Sequence, residues 1–338
     1  MVYNERNVSL WPCAHSLRYT SWTLPCTLCR LGGILISLIS IVCFGFNMRF
    51  LFSHRCKNSL VVSLFLASLL VITISVPSVI VQLFTCHRHC LNIYCRIEGF
   101  CSYLSGCVCM LVFMSLSIHR YLSLCSYKSS LSYGASTCFS WSLSLVFTFP
   151  LVFDYFNSYK FEGLGFHCSI NWQDSSSIGR VYILSSFIFM YFIPLIILVF
   201  VNVRAHLIVR HIYTKENLHS TFINYMHQRY LTRKSRQAVD YKNNFVHKYC
   251  ARIATDRKRL RTDYRFLRAI IFLISSYLIA WTPYSIIAVL QLLNIGFIFN
   301  HAFLITLSAF IAKLSVILAP FVYLSIMNYK FFKKILFN

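Results

Sequence analysis

Seven long apolar runs separated by polar stretches set the pattern of this chain: 28–50, 60–84, 95–122, 134–156, 179–203, 267–292 and 301–326. Each holds about 20 or more residues, and as a helix rising ~1.5 Å per residue it is long enough to cross a hydrocarbon layer of ~30 Å. Backbone N–H and C=O groups find no partners in lipid, so the runs are expected to be helices. Pro194, Pro283 and Pro320 fall inside the fifth, sixth and seventh runs and should kink or loosen them. The stretch Asn328–Asn338 (NYKFFKKILFN) is short, basic and amphipathic, and fits a helix lying on a membrane surface. The pattern predicts an all-α membrane protein. A segment 1–27 precedes a seven-transmembrane helix bundle over 28–326, which carries a basic loop at 205–262. A surface helix and short tail follow over 327–338.

Composition agrees with that reading. Hydrophobic residues make up 57% of the chain, charged residues only 12%, and mean hydropathy is +0.63. A soluble domain carries about 25% charged residues, so a soluble enzyme is excluded. The net charge of +23 is unevenly placed: 16 of the 32 Lys and Arg residues lie between Arg204 and Arg268, against Glu216, Asp240, Asp256 and Asp263. Flanked by membrane helices, that stretch reads as a solvated basic loop beside a bilayer, with no nucleic-acid partner. The 15 cysteines show no metal-ligand spacing, and Cys107 and Cys109 fall inside an apolar run where helix packing explains them. No metal is expected. The absence of an internal repeat disfavours a channel or transporter.

Chemistry concentrates at Lys313, in the middle of HAFLITLSAFIAKLSVILAPFVYLSI. Burying an ammonium at that depth costs at least ~2.5 kcal/mol, so a lysine there is a functional-site candidate. It can snorkel, pair with a buried carboxylate, lose its charge, or condense with an aldehyde to a Schiff base. Of the nine acidic residues only Glu98 and Asp154 fall within apolar runs. Asp154 ends the fourth run and reads as a wet helix end. Glu98 lies three residues after Cys95, one turn into the third run. It is either a second partly wet carboxylate or the group that faces the bundle and holds a charge on Lys313. Glu162, in FEGLGFHCSINW, is the other candidate, reachable only if its loop folds over the bundle mouth. Asn7-Val8-Ser9 is a glycosylation sequon. Counting basic residues at the short loops and span ends decides no orientation; only the 205–262 loop tips the balance toward an inside location for that face.

The motifs resemble the opsins, retinal-binding receptors of the rhodopsin-like seven-helix class. Ala312-Lys313 followed by Ala319-Pro320-Phe321-Val322-Tyr323 is similar to the family's retinal lysine and the NPxxY element after it, with Ala319 in place of Asn. Ala280-Trp281-Thr282-Pro283-Tyr284 resembles the toggle tryptophan and kink proline; Arg120-Tyr121 resembles the end of DRY. Cys95-x-x-Glu98-Gly99-Phe100 is similar to the disulfide cysteine and counterion position, and Glu162…Cys168-Ser169-Ile170-Asn171-Trp172 to the second extracellular loop. IAWTPY, CSINW and NYKF most resemble the neuropsin and peropsin group.

The resemblance implies retinal (11-cis or all-trans) as a Schiff base on Lys313, with Glu98 or Glu162 as counterion and Trp281, Tyr284 and Tyr277 lining the pocket. It implies a Cys95–Cys168 disulfide on an oxidising face and an activation switch of Arg120, Tyr121, Asp263, Pro320 and Tyr323. The implied partners are a heterotrimeric G protein, arrestin and the bilayer, and the implied location is the plasma membrane, with the N-terminus outside. Four positions depart from the family pattern: His119 before Arg120, Ser68 for the acid of the second span, Asn202 for the tyrosine of the fifth, and Ala319. They make signalling less secure than retinal binding. A retinal photoisomerase without signalling, or a chemoreceptor that pairs Lys313 with an acidic ligand, are the competing readings.

Overall fold

The computed structural model describes residues 26–52, 58–86, 92–125, 132–174, 176–210, 270–293 and 302–327. Its helices are α1 (Cys26–Phe52), α2 (Ser59–Thr85), α3 (Asn92–Leu124), α4 (Tyr133–Thr148), α5 (Ser177–Arg210), α6 (Ile270–Leu292) and α7 (Ala302–Met327). Each expected span corresponds to one helix, five of them to within a few residues at the ends, while α4 ends early and α5 runs on to Arg210; with the turn that follows α4, all seven are long and apolar enough to cross a membrane. Asn7, Asp263, nearly all of the 205–262 loop and the 328–338 segment lie outside the described residues.

The helices sort by which side they bury. α3 is the central post, with 89% of its span buried, whereas α1 buries 22% and turns Ile34, Leu38 and Ile41 outward. Apolar side chains on the outside suit lipid, which gives no hydrophobic drive between helices. Contacts between helices therefore rest on close packing. On α4, Ser136, Ser140, Ser144 and Thr148 form one buried face at helical spacing. Each hydroxyl donates to the carbonyl four residues back, so the stripe is narrow and satisfied and lets α4 approach α3.

Proline shapes three helices. α5 widens to a π-turn over Ile188–Phe192, just before Pro194, and α2 does the same over Val71–Ser75, just before Pro77. Widening relieves the clash between the proline ring and the preceding turn. The sequence pattern anticipates the first and not the second. α4 is shorter than expected: it ends at Thr148, tightens into a 3₁₀ turn at Pro150–Phe153, and reverses at Asp154, whose φ is 59°. Pro150 lacks the N–H to continue the helix. α7 runs through Pro320 unbroken.

The link between α4 and α5 departs from an all-helical picture. Strands β1 (Tyr159–Glu162) and β2 (His167–Ile170) pair antiparallel, setting Phe161 opposite Cys168 and Glu162 opposite His167. The turn is built on Gly163 (φ 58°) and Gly165 (φ 85°). Gly163 is also pressed against α7, where a Cβ would lie 2.8 Å from the Ala302 carbonyl oxygen. Leu164 N–H donates to Thr306 Oγ1 at 2.8 Å. Tyr159 covers Gly99 of α3, and its hydroxyl donates to the Thr148 carbonyl at 3.0 Å. Burial pushes that phenol well above its ordinary range, so it stays a neutral donor. The hairpin is a lid seated across α3 and α7.

Among the described residues, two disulfides close this end of the bundle. Cys95–Cys168 ties the lid to α3, as the opsin resemblance implies. Cys26–Cys86 ties the start of α1 to the end of α2 and is new. Replacing Cys86 with Ser should destabilise the protein by about 2–4 kcal/mol, read as a lower thermal midpoint with Cys26 newly open to alkylation. An unchanged midpoint would mean that the bridge does not hold α1 to α2.

Candidate functional site

Lys313 lies near the middle of α7 and its side chain turns inward. Its Nζ donates to Glu98 Oε1 at 2.5 Å, with side-chain exposures of 16% and 3%. Glu98 is therefore not a wet helix end. Two further donors complete it: Cys168 N–H reaches Oε2 at 2.5 Å, and Ser102 Oγ lies 3.0 Å from Oε1. Ser102 in turn stands 2.9 Å from Ser75 Oγ of α2. The arrangement follows from local structure. Ser102 is one turn along α3 from Glu98, and the disulfide at Cys168 brings that residue's backbone N–H to the carboxylate. A buried ion pair survives only when its spare lone pairs are satisfied, and here they are.

Glu162 sits on the lid with a separate set of partners. Its Oε2 accepts from Tyr284 of α6 at 3.0 Å and stands 3.3 Å from His167 Nε2. Trp172 Nε1 donates to the Tyr284 hydroxyl at 3.1 Å. Of the two counterion candidates, only Glu98 touches Lys313. Asp154 pairs with Arg96 at a half-exposed position, well apart from the lysine's carboxylate.

Beside the lysine lies a partly open cavity walled by α3, the lid, α5, α6 and α7. Its lining includes Gly99, Ser102, Gly106 and Met110 of α3, and Tyr277, Trp281, Tyr284 and Ala288 of α6. Those positions mark one face of each helix over about 16 Å of rise. All three expected pocket aromatics are thus present. Gly106 receives two of them: Tyr277 donates to its carbonyl at 2.8 Å, and a Cβ there would stand 2.7 Å from the Trp281 ring. Trp281 Nε1 donates to Ser315 Oγ of α7 at 3.1 Å. Tyr103 and Ser186, whose hydroxyls bond across α3 and α5, supply a polar contact in the wall. Sequence reasoning missed His167, Trp172, Tyr103 and Ser186 as site residues; proximity to Cys168 was the only signal for the first two, and Tyr103 and Ser186 carried none.

At the opposite end, the expected switch residues are spread over several contacts. Tyr121 packs against Ala205 and Val209 of α5, and Tyr323 is buried in the main core. Pro320 is buried in α7, and Arg120 is half-buried in α3. Its expected partner Asp263 lies outside the described residues. Three of the four substituted positions carry neutral hydrogen bonds, and Ala319, the fourth, is buried in α7 with no polar side chain. His119 Nε2 is 2.9 Å from Ser136 Oγ and its ring stacks on Tyr133. Asn202 donates to Ser117 Oγ at 3.2 Å. Asn47 donates to Ser68 Oγ at 2.9 Å, and Ser68 donates to the Ile317 carbonyl at 3.0 Å, joining α1, α2 and α7.

Comparison with known proteins agrees with this architecture. No curated protein matches the chain in sequence. Among solved structures, the crystal structure of squid rhodopsin is similar with a TM-score of 0.73 at 20% identity, over 99% of this chain and 90% of that one. At that identity the likeness is one of fold. Residues 37–323 match the model of the 7 transmembrane receptor (rhodopsin family). The chain is a multi-pass membrane receptor, not an enzyme, and it belongs to the rhodopsin family of seven-transmembrane receptors.

Proposed function

We propose that this receptor is a light sensor, a non-visual opsin that holds retinal as a Schiff base on Lys313. The observation that carries the reading is an amine in the wall of a deep aromatic cavity, 2.5 Å from a buried carboxylate. The donor set fits the group: one nucleophilic nitrogen for an aldehyde, one acid to balance the charge, and apolar walls for a polyene. Retinal in this site would supply absorption of light and a double bond that isomerises.

The chain's own residues do the rest. Lys313 Nζ is the point of attachment, and Glu98 holds positive charge there because desolvation penalises a bare cation and a close carboxylate offsets it. The lid, fastened by Cys95–Cys168, keeps water from that pair. Tyr277 and Trp281 link the cavity to α6, so a change of shape in the cavity acts on the helix that carries Pro283. Family membership implies that motion of the bundle is read by a heterotrimeric G protein. Arrestin is a further proposed partner. With two disulfides at the lid end, we place that face and the N-terminus outside the plasma membrane.

The neutral contacts of His119 and Asn202 favour one alternative, a retinal photoisomerase that does not signal. Light-dependent nucleotide exchange on a G protein separates the two: exchange supports the sensor, and sustained isomer conversion without exchange supports the isomerase.

Reconstitution with 11-cis- or all-trans-retinal should give a near-ultraviolet or visible band, and Lys313→Ala should abolish the borohydride-trappable adduct. An adduct retained at another residue would overturn the assignment. Glu98→Gln should lower the pH at which the bound imine loses its proton by roughly 1–3 units, followed as loss of visible absorbance on titration. Glu162→Gln should move it less, because that acid does not touch Lys313.

A further inference from the structure

His167 is fully buried on β2, directly across the hairpin from Glu162. Its Nε2 stands 3.3 Å from Glu162 Oε2, an oxygen that already accepts from Tyr284. An ionised carboxylate oxygen offers only lone pairs, so a bond to Nε2 puts the imidazole proton on that nitrogen. Nδ1 then carries a free lone pair, and it has no protein partner; neither does Glu162 Oε1. Phe310 of α7 packs against the ring at a centroid distance of 5.5 Å. Two carboxylates, Glu98 and Glu162, are thus buried at the mouth of the cavity, and Lys313 answers only one of them. Among the described residues, the lid's His167 is the base in reach of the second.

We propose that His167 tunes this site: by taking a proton at Nδ1 it turns the Glu162 carboxylate from a second counter-charge for the Lys313 nitrogen into half of a separate, neutral pair. This rests on the retinal-binding reading given above. The proton comes from solvent, the imidazole gains one positive charge, and no bond other than N–H is made. Histidine is the side chain suited to the task, because modest changes of surroundings move its charge change across physiological pH.

Among the described residues, the charged and titratable groups facing this end of the hairpin are few. They are Glu162 and Tyr159 on β1, Glu98 on α3, Tyr284 on α6 and Lys313 on α7. On the side toward α1 and α2, Leu164 and Phe166 of the lid pack with Val79, Leu83 and the Cys29 thiol, and Arg30 of α1 lies exposed at that end, donating to the Phe84 carbonyl. His167 is a positioning residue: it touches Glu162 and not Lys313, and it acts on the lysine's nitrogen through the field of that carboxylate. Less negative charge near a cationic imine stabilises its ground state less, so protonation of His167 moves the bound retinal's absorption to longer wavelength.

Two readouts test this. In retinal-free protein labelled with ¹⁵N-histidine, one imidazole absent from His167→Asn should titrate, and its titration should change in Glu162→Gln. An imidazole that does not titrate, or a midpoint indifferent to Glu162→Gln, overturns the proposal. In the dark pigment, lowering the pH should give a step to longer wavelength that is lost in His167→Asn, in His167→Gln and in Glu162→Gln alike. The double variant His167→Asn/Glu162→Gln should match Glu162→Gln alone. A step that survives His167→Asn or His167→Gln overturns the proposal. If wild-type protein forms no pigment at all, the retinal-binding reading falls, and the imidazole titration still decides whether His167 and Glu162 share a proton site.

Discussion

The ion pair between Lys313 and Glu98 is the constraint to which the outer half of the molecule answers. Neither charge is tolerable alone in an apolar interior, and breaking such a pair costs about 3–5 kcal/mol because one buried charge is left unanswered. The pair forms only when α3 and α7 are in register and the lid is down, since a Cys168 N–H from the lid donates to the same carboxylate. Ser102 and Ser75 extend the network into α2. A helix whose centre is penalised in lipid thus finds its place by being bound from three sides. The Cys95–Cys168 bridge removes the freedom of the lid strand that supplies one of those bonds.

The two ends of the bundle are held by different physics. Around the cavity the bonds include charged ones and ones to buried phenols. At the other end the described ties among α1, α2, α3, α5 and α7 include neutral ones: Asn47 to Ser68, Ser68 to the Ile317 carbonyl, Asn202 to Ser117, and His119 with Ser136. Neutral hydrogen bonds contribute about 0.5–1.5 kcal/mol each, less than bonds to charged groups. The helices at that end can exchange such partners at small cost. On the proposed reading, the stiffer end recognises and the more compliant end moves, the division of labour a receptor needs.

Much of this was legible before any coordinates, and for clear reasons. Apolar runs of membrane-spanning length admit one local structure, so the seven helices followed from Leu, Ile, Val and Phe alone. Lys313 stood out because a charge amid such residues demands an explanation, and Glu98 because it was one of two acids within the runs. What stayed hidden depends on packing between distant segments. The Cys26–Cys86 bridge could not be read among 15 cysteines without regular spacing. The hairpin went unread although Gly163 and Gly165 mark its turn, and its seat on Thr306 needed α7 in place. The choice between Glu98 and Glu162 was likewise a matter of distance.

That choice has a structural logic. Glu98 is carried by α3, the most deeply enclosed helix, so its carboxylate is fixed relative to α7 to within a side-chain rotamer. Glu162 is carried by a two-stranded lid, an element too small to be stable unless it packs on something larger. An acid on such a lid could serve Lys313 only as well as the lid was seated. The fold instead gives it Tyr284 of α6 and His167 of its own hairpin as partners. The carboxylate on the most enclosed helix pairs with the lysine, and the one on the small lid is left where its charge can be answered locally.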